Sequence, residues 1–141
     1  MIRFVCGLLL LAGAVPFVMP KSTGPEISWA KYDDAAIAAA ANEGRPVIID
    51  FYADWCLPCK ELDHNTFNQA DVVDESKRFA TFKADLTQGD DEKSKELVKR
   101  YGIIGVPTIV FIDAKGSEIR ELRLTGFEKP DLFVERMKKA K

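Results

Sequence analysis

The sequence has 141 residues, a length that suits one domain with a short appendage. Hydrophobic residues make up 47% and charged residues 30%, a balance typical of a soluble folded protein and not of a disordered chain. The formal net charge of −2 argues against a nucleic-acid-binding protein, which needs a basic surface to bind phosphates. Three cysteines and one histidine are too few for a disulfide-rich scaffold and for most zinc sites, so we expect no metal.

The first 20 residues predict an export signal. Arg3 is the only charged residue before Lys21, and the segment between them is apolar and rich in leucine. The small residues Ala12-Gly13-Ala14 suit a cleavage site, so we predict a signal peptide over 1–20 and a periplasmic or otherwise exported protein. The alternative is a short membrane anchor over 4–19, although a helix of that length spans only ~24 Å of a ~30 Å hydrocarbon core.

Residues 21–28 predict a short linker, and 29–141 predict one folded domain with no internal repeat. Apolar periodicity, capping residues and glycines then define the elements of this domain. A helix is predicted over 35–41, capped by Asp33 or Asp34. Further helices are predicted over 59–66, 71–79, 90–101 and 130–139, and strands over 47–52, 80–86, 108–112 and 119–124. This order predicts an α/β fold, a three-layer α/β/α sandwich whose central mixed sheet has parallel crossovers followed by a hairpin.

Cys56 and Cys59 follow the first predicted strand and open the next helix. Residues i and i+3 share one face of a helix, so the two sulfurs can approach the ~2 Å of a disulfide. Cys56 lies at the helix N-terminus, where free N–H groups and the helix dipole favour a thiolate. We therefore predict a redox-active pair in which Cys56 is the exposed nucleophile and Cys59 the shielded resolving thiol.

Two other interpretations of this pair are open. A zinc half-site needs a second pair of ligands, and His64 alone cannot supply it, so His64 is interpreted as a surface residue. A purely structural disulfide gains little stability from closing so short a loop. The third cysteine, Cys6, is interpreted as a small hydrophobic residue of the export segment.

Three segments of the chain resemble signatures of the thioredoxin superfamily, and they lie at residues 49–60, 101–108 and 125–127. Further stretches are similar to the C-terminal periplasmic domain of the DsbD family of membrane reductases, namely 52–56, 60–63, 65–67 and 85–87. The resemblance covers nearly all of 29–141 and reaches one module of those larger proteins. It implies a thioredoxin-like fold and an activity in thiol–disulfide exchange.

The resemblance also implies a substrate-binding site beside the cysteines. It predicts that the Val106–Pro107 peptide bond is cis and lies against the pair, leaving backbone free to bind an extended substrate segment. Trp55 is then an apolar wall beside Cys56, and Gly126 leaves room for substrate backbone. The alternatives are that Pro107 merely begins an edge strand and that Trp55 and Gly126 serve ordinary packing.

Asp50 interrupts an apolar strand, where an unpaired charge costs several kcal/mol. Burial should raise its pKa and suit it to shuttle a proton when Cys59 attacks a mixed disulfide. The alternative is that Asp50 faces a wet edge of the sheet. By resemblance, Lys83 matches a position near this acid, and Asp63 matches a second active-site carboxylate.

These patterns predict a protein-disulfide reductase that needs no cofactor beyond its own redox-active disulfide. Leu57-Pro58 between the cysteines offers no cation, and nearby carboxylates disfavour a strongly stabilised thiolate, which would make the pair an oxidant. The expected partners are disulfide-containing proteins and a membrane or thioredoxin-like electron donor, with the chain itself a monomer. The rival hypotheses are an oxidase or isomerase on the same fold, and a binding module whose disulfide is structural.

Overall fold

A five-stranded mixed sheet forms the centre of the computed structural model, which describes residues 24–141. The predicted signal peptide over 1–20 therefore lies outside the described residues, as does Cys6. Spatially, the strands follow the order β1-β3-β2-β4-β5. The strands are β1 Ala30–Lys31, β2 Val47–Tyr52, β3 Ala80–Asp85, β4 Thr108–Ile112 and β5 Leu124–Thr125, and the helices are α1 Asp34–Asn42, α2 Leu57–Asn65, α3 Ala70–Ser76, α4 Glu92–Tyr101 and α5 Pro130–Lys139.

The two central strands, β2 and β4, run antiparallel to each other, while β2 pairs in parallel with β3. Both are covered on both faces, which explains their nearly continuous apolar sequences. One core cluster on the sheet contains Ile48, Leu62 and Phe133, and the other contains Ile49, Phe51 and Leu97. The predicted three-layer α/β/α sandwich with a central mixed sheet is confirmed.

Side-chain caps and one glycine define the ends of the helices that pack on this sheet. The Asp33 carboxylate caps α1 by accepting a hydrogen bond from the N–H of Ala36 at 2.8 Å, as the sequence predicts. Asp91 caps α4 in the same way, and α4 ends at Gly102, whose φ of 59° is left-handed. These caps fix where α1 and α4 begin and where α4 ends.

The predicted strand over 119–124 is wrong. A short 3-10 helix, Arg120–Leu122, occupies half of it. Before this helix only an isolated bridge joins Glu118 to Ile112 of β4, and after it only Leu124–Thr125 forms a strand that pairs with β4. The N–H groups of Leu122 and Arg123 bond the carbonyls of Ile119 and Arg120, three residues earlier, so these local bonds replace a strand ladder. This segment still buries both Leu122 and Leu124, so its leucines reach the core although most of it is not a strand.

The beginning of the described chain contains a strand that the sequence does not predict. β1 is only two residues long and both are exposed, so it leaves no apolar pattern. Ile27, within the segment predicted as a linker, is buried in the core, and the Ser28 carbonyl accepts a hydrogen bond from the Thr81 hydroxyl at 2.8 Å. Over residues 24–141, no helix is long and apolar enough to cross a membrane.

Candidate active site

A disulfide joins Cys56 and Cys59 at the N-terminus of α2, with their Cα atoms 5.3 Å apart. Cys56 is the N-cap residue, and its Sγ accepts a hydrogen bond from the N–H of Cys59 at 3.2 Å. Pro58 lies in the first helical turn, where it removes no helical hydrogen bond. The predicted pairing and its place at the helix N-terminus are confirmed, and the same N–H favours a thiolate on Cys56 once the pair is reduced.

The predicted difference in exposure between the two cysteines is wrong in this disulfide-bonded state. Cys56 is 3% exposed and Cys59 is 4% exposed. Both pack with Ala53, and the partly buried side chains of Tyr52 and Val106 lie against them. The two sulfurs therefore differ in their position on the helix, where one caps it and the other lies one turn inside, and not in their exposure.

The loop before β4 lies against the disulfide, as the resemblance to thioredoxins implies. The Val106–Pro107 peptide bond is cis, and Val106 contacts the cysteine cluster. The Pro107 carbonyl accepts a hydrogen bond from the N–H of Gly126 at 3.1 Å, which joins this loop to the one after β5. Gly126 has a φ of 86°, and the space where a side chain would begin is open. Val106, Pro107 and Gly126 are thus brought together beside the cysteines.

Four exposed apolar side chains, here called the apolar rim, belong to the segments that meet at the disulfide. Trp55 is 70% exposed and Ile104 fully so, and the other members are Leu57 and Phe127. Trp55 and Leu57 flank Cys56 in sequence, Ile104 precedes Val106 by two residues, and Phe127 follows Gly126. Exposed apolar side chains on segments that meet at a disulfide are typical of a protein-binding surface.

Asp50 is 2% exposed in the middle of β2, so the alternative of a wet edge is excluded. Its Oδ2 lies 3.5 Å from the Lys83 Nζ, and its Oδ1 has no hydrogen-bond partner in the described part of the chain. Burial raises the pKa of Asp50 to about 7, an effect that Lys83 opposes and that the neighbouring Asp63 carboxylate reinforces. The predicted burial and raised pKa are confirmed.

Lys83 connects the two acids of the site. Its Nζ lies 2.6 Å from Asp63 Oδ1, and Asp63 lies on α2 one turn after Cys59. The rings of Trp29, Tyr52 and Phe67 surround the same ammonium group, with Tyr52 the nearest at 4.9 Å. A cavity of about 260 Å³ beside the ion pair is lined partly by Trp29, Asp63 and Lys83, and it gives solvent a route to these charges.

The family of thioredoxin-like domains matches residues 33–141 of the chain. The chain belongs to this thioredoxin-like family. Its described residues contain no group of three or more histidine, cysteine or acidic side chains that could hold a metal ion.

The chain is also similar to thiol:disulfide interchange proteins named DsbD. The chain is 38% identical to the thiol:disulfide interchange protein DsbD of Ralstonia nicotianae over 107 residues, 76% of this chain and 17% of that protein. It is 34% identical to DsbD of Pectobacterium atrosepticum over 146 residues, 94% of this chain and 25% of the relative. The chain therefore spans a quarter or less of the length of these relatives.

A solved structure covers the same module. The oxidised C-terminal domain of DsbD from Neisseria meningitidis is 34% identical with a TM-score of 0.65, and the match covers 79% of this chain and all of that domain. The predicted thioredoxin-like fold and the resemblance to the DsbD C-terminal domain are confirmed. Together with the Cys56–Cys59 pair, the relatives support the prediction of a protein-disulfide reductase that acts by thiol–disulfide exchange.

Some residues that hold the thioredoxin-like site carry no sequence signal that pattern analysis detects. Thr66 and Arg136 hold the loop after Gly126, because the Thr66 hydroxyl donates to the Glu128 carbonyl at 2.6 Å and Arg136 donates two hydrogen bonds to the Glu128 carboxylate at 2.6 and 2.8 Å. Thr66 and Glu128 are 62 residues apart in sequence. Only the folded chain brings them together.

The Glu128–Arg136 pair provides a prediction about stability. Replacing Glu128 with glutamine should lower the free energy of unfolding by about 1–3 kcal/mol, because the charged hydrogen bonds are lost and Arg136 stays half-buried without its counter-charge. Urea denaturation measures the effect. Glu135→Gln on the exposed side of α5 is the matched control and should change stability by less than about 0.5 kcal/mol. Equal effects of the two variants would contradict the structural role of the pair.

Proposed function

We propose that this chain is an exported protein-disulfide reductase that works in an oxidising compartment such as the periplasm. The observation that carries the proposal is the Cys56–Cys59 disulfide at the N-terminus of α2, with the cis Val106–Pro107 loop packed against it. The similarity to DsbD proteins supports the reducing direction. The predicted signal peptide or anchor supports export.

The reaction has two exchange steps. In the reduced enzyme, the Cys56 thiolate attacks a substrate disulfide, forms a mixed disulfide and releases one substrate sulfur as a thiolate that takes up a proton. The Cys59 thiolate then attacks the Cys56 sulfur, which releases the second substrate sulfur and forms the Cys56–Cys59 disulfide. The substrate gains two electrons and two protons, and the enzyme loses the same number.

Asp50 is proposed to handle the proton of Cys59 during the second step. The Asp50 carboxyl is linked through Lys83 to Asp63, which is one turn along α2 from Cys59. A buried acid with a pKa near 7 exchanges protons readily at neutral pH, which suits a general base. Asp63 and Lys83 then adjust the charge on Asp50 and connect it to the cavity beside them.

The substrate is proposed to dock as an extended segment between the two loops that meet at the disulfide. Val106 and Pro107 form one side of this site and Gly126 the other, and the hydrogen bond between Gly126 and Pro107 keeps the loops together. Trp55 and the rest of the apolar rim supply the apolar contact area around it. The partners we propose are therefore proteins whose disulfides lie in accessible, partly apolar segments.

The oxidised enzyme needs an electron donor. An oxidising compartment does not reduce disulfides by itself, so we propose a membrane protein or another thioredoxin-like protein as the donor of electrons to the Cys56–Cys59 disulfide. The chain is proposed to act as a monomer, without nucleic acid, metal or bound cofactor. Residues 1–20 are proposed to direct export and then be cleaved, or to remain as an anchor over 4–19, and the intact mass of the exported protein distinguishes these two outcomes.

Equilibrium with glutathione tests the direction of electron flow. We expect a reduction potential below about −200 mV, on the thioredoxin side of the range, where thioredoxin has about −270 mV and strong oxidants about −120 mV. The physical reason is that no cation lies between the two cysteines to stabilise the reduced form. A potential near −120 mV would support the oxidase hypothesis instead. A pair that never equilibrates with glutathione would support a structural disulfide.

A further inference from the structure

The loop between β3 and α4 contacts the segment before Cys56 through one residue, Thr87. The Thr87 Oγ1 accepts a hydrogen bond from the N–H of Asp54 at 2.9 Å. The Thr87 carbonyl accepts a second from the Trp55 Nε1–H at 3.2 Å. Two successive residues before the nucleophilic cysteine are therefore bound to the same threonine, which is 32 or more residues away in sequence.

Trp55 has little else to hold it. With 70% of the residue exposed, its ring lacks the packing that fixes buried aromatic side chains. Water also competes for an exposed indole N–H. The hydrogen bond from Trp55 therefore orders the ring only when the Thr87 carbonyl is already held in place. The position of the Trp55 ring beside the disulfide therefore depends on how firmly the Thr87 backbone is held.

The Thr87 hydroxyl holds that backbone from both sides. It accepts from Asp54 N–H and donates to the Asp85 carboxylate, which also accepts the N–H of Thr87 at 2.8 Å. These bonds lower the pKa of Asp85, so its carboxylate stays charged and accepts strongly. Just before Thr87, the N–H of Leu86 bonds the Tyr52 carbonyl at 2.8 Å and continues the pairing of β3 with β2.

We propose that Thr87 is a positioning residue, which fixes the Trp55 indole at the edge of the disulfide so that it meets the substrate in one orientation. This inference rests on the proposed function, because it assigns Trp55 to substrate contact. A hydroxyl that donates and accepts at once is required, so serine can replace threonine at this position and valine, which has the same shape, cannot.

The test compares Thr87→Val with Thr87→Ser in insulin reduction driven by dithiothreitol. Thr87→Val should raise KM by about 2- to 10-fold, the range expected for one lost hydrogen bond, and change kcat by less than about 2-fold. Thr87→Ser should match the wild type. Thr81→Val is the matched control, because it also removes a hydrogen-bonded threonine hydroxyl. The Thr81 hydroxyl donates to the Ser28 carbonyl and does not contact Trp55, so this variant should leave KM unchanged.

Coupling to Trp55 separates positioning from a general structural role. In a Trp55→Phe background, which lacks the indole N–H, Thr87→Val should add no further rise in KM. An equal rise in both backgrounds would overturn the proposal. So would an equal rise in Thr81→Val, an equal loss of kcat and kcat/KM in Thr87→Val, or no change in KM at all.

A measurement without substrate keeps this inference distinct from the proposed function. In nitrogen-15 NMR of the oxidised protein, the Trp55 indole N–H should exchange with water several-fold faster in Thr87→Val than in the wild type. The indole of Trp29, the other tryptophan of the sequence, is the internal reference. If the wild type reduced no disulfide, the proposed function would fail. The exchange rate of the Trp55 indole N–H would still show whether Thr87 positions the ring. Unchanged exchange would overturn the positioning role even in an active enzyme.

Discussion

Replacing Cys56 with serine should lower the rate of insulin reduction by at least about 1,000-fold, to the background of the reductant alone. The reason is chemical, because a serine hydroxyl does not ionise near neutral pH and cannot form a disulfide. Cys56 caps α2, where the N–H of Cys59 is directed at its sulfur, so the position favours a thiolate nucleophile in the reduced protein. The rate of insulin reduction in the presence of dithiothreitol, compared between the variant and the wild type, measures this loss of activity.

Replacing Cys59 with serine should have a different outcome. Cys56 can still attack a substrate disulfide, but nothing resolves the mixed disulfide, so covalent complexes with substrate proteins should accumulate and survive non-reducing electrophoresis. These complexes would identify the physiological substrates directly. Cys6→Ser is the matched control, since it removes the third cysteine and should leave the rate of insulin reduction unchanged.

Three results would contradict the assignment of Cys56. Full activity in Cys56→Ser would assign reduction to another group. If Cys59→Ser formed no covalent complex with substrate proteins, Cys56 would not be the nucleophile. A wild type without activity, in which both cysteine variants lower only the stability, would support the hypothesis of a binding module with a structural disulfide.

The cysteine pair could be predicted from the sequence because its chemistry is local. A spacing of three residues at the start of a helix decides both the approach of the sulfurs and the contact with free N–H groups, whatever the rest of the fold does. Asp50 could be predicted for a similar reason, since a charged residue within a buried strand is itself the signal. In each case the sequence neighbours define the environment.

The exposure of Cys56 could not be predicted in this way. Its environment includes Val106, which belongs to the loop before β4 and is distant in sequence. A helix N-terminus is exposed by default, and the packing of that loop on the disulfide adds to the burial of Cys56 that its sequence neighbours provide. The same reason explains why Thr66 and Thr87 escaped prediction, because the hydrogen bonds that give them a role join them to residues 62 and 33 positions away.

The register of the sheet supplies the remaining part of the site. Asp50 on β2 pairs in register with Lys83 on β3, and this adjacency places an ammonium group beside a buried carboxyl. The apolar character of the two segments predicts both strands but does not give the register of a parallel pair joined by a long crossover. The resemblance to thioredoxins could indicate Lys83, whereas periodicity alone could not.

The Asp50→Asn variant should become more stable relative to the wild type as the pH rises. The pKa of Asp50 is about 7 in the folded protein and about 3.9 in an unfolded chain, so the folded state holds this proton more tightly. Stability from the protonated carboxyl is therefore present at acid pH and is lost as the pH rises through about 7. At 1.36 kcal/mol for each pKa unit, the wild type should lose about 2–3 kcal/mol from this group between pH 5 and pH 8.

Asparagine has nearly the same shape and does not ionise, so urea denaturation of Asp50→Asn should lack this part of the pH dependence. The difference in free energy of unfolding between variant and wild type should grow by about 2–3 kcal/mol from pH 5 to pH 8. Asp90→Asn, at an exposed carboxylate in the turn before α4, should keep the slope of the wild type. A constant difference between Asp50→Asn and the wild type at both pH values would mean that Asp50 is ionised throughout. In that case Lys83 would outweigh burial, and Asp50 could not act as the base for Cys59.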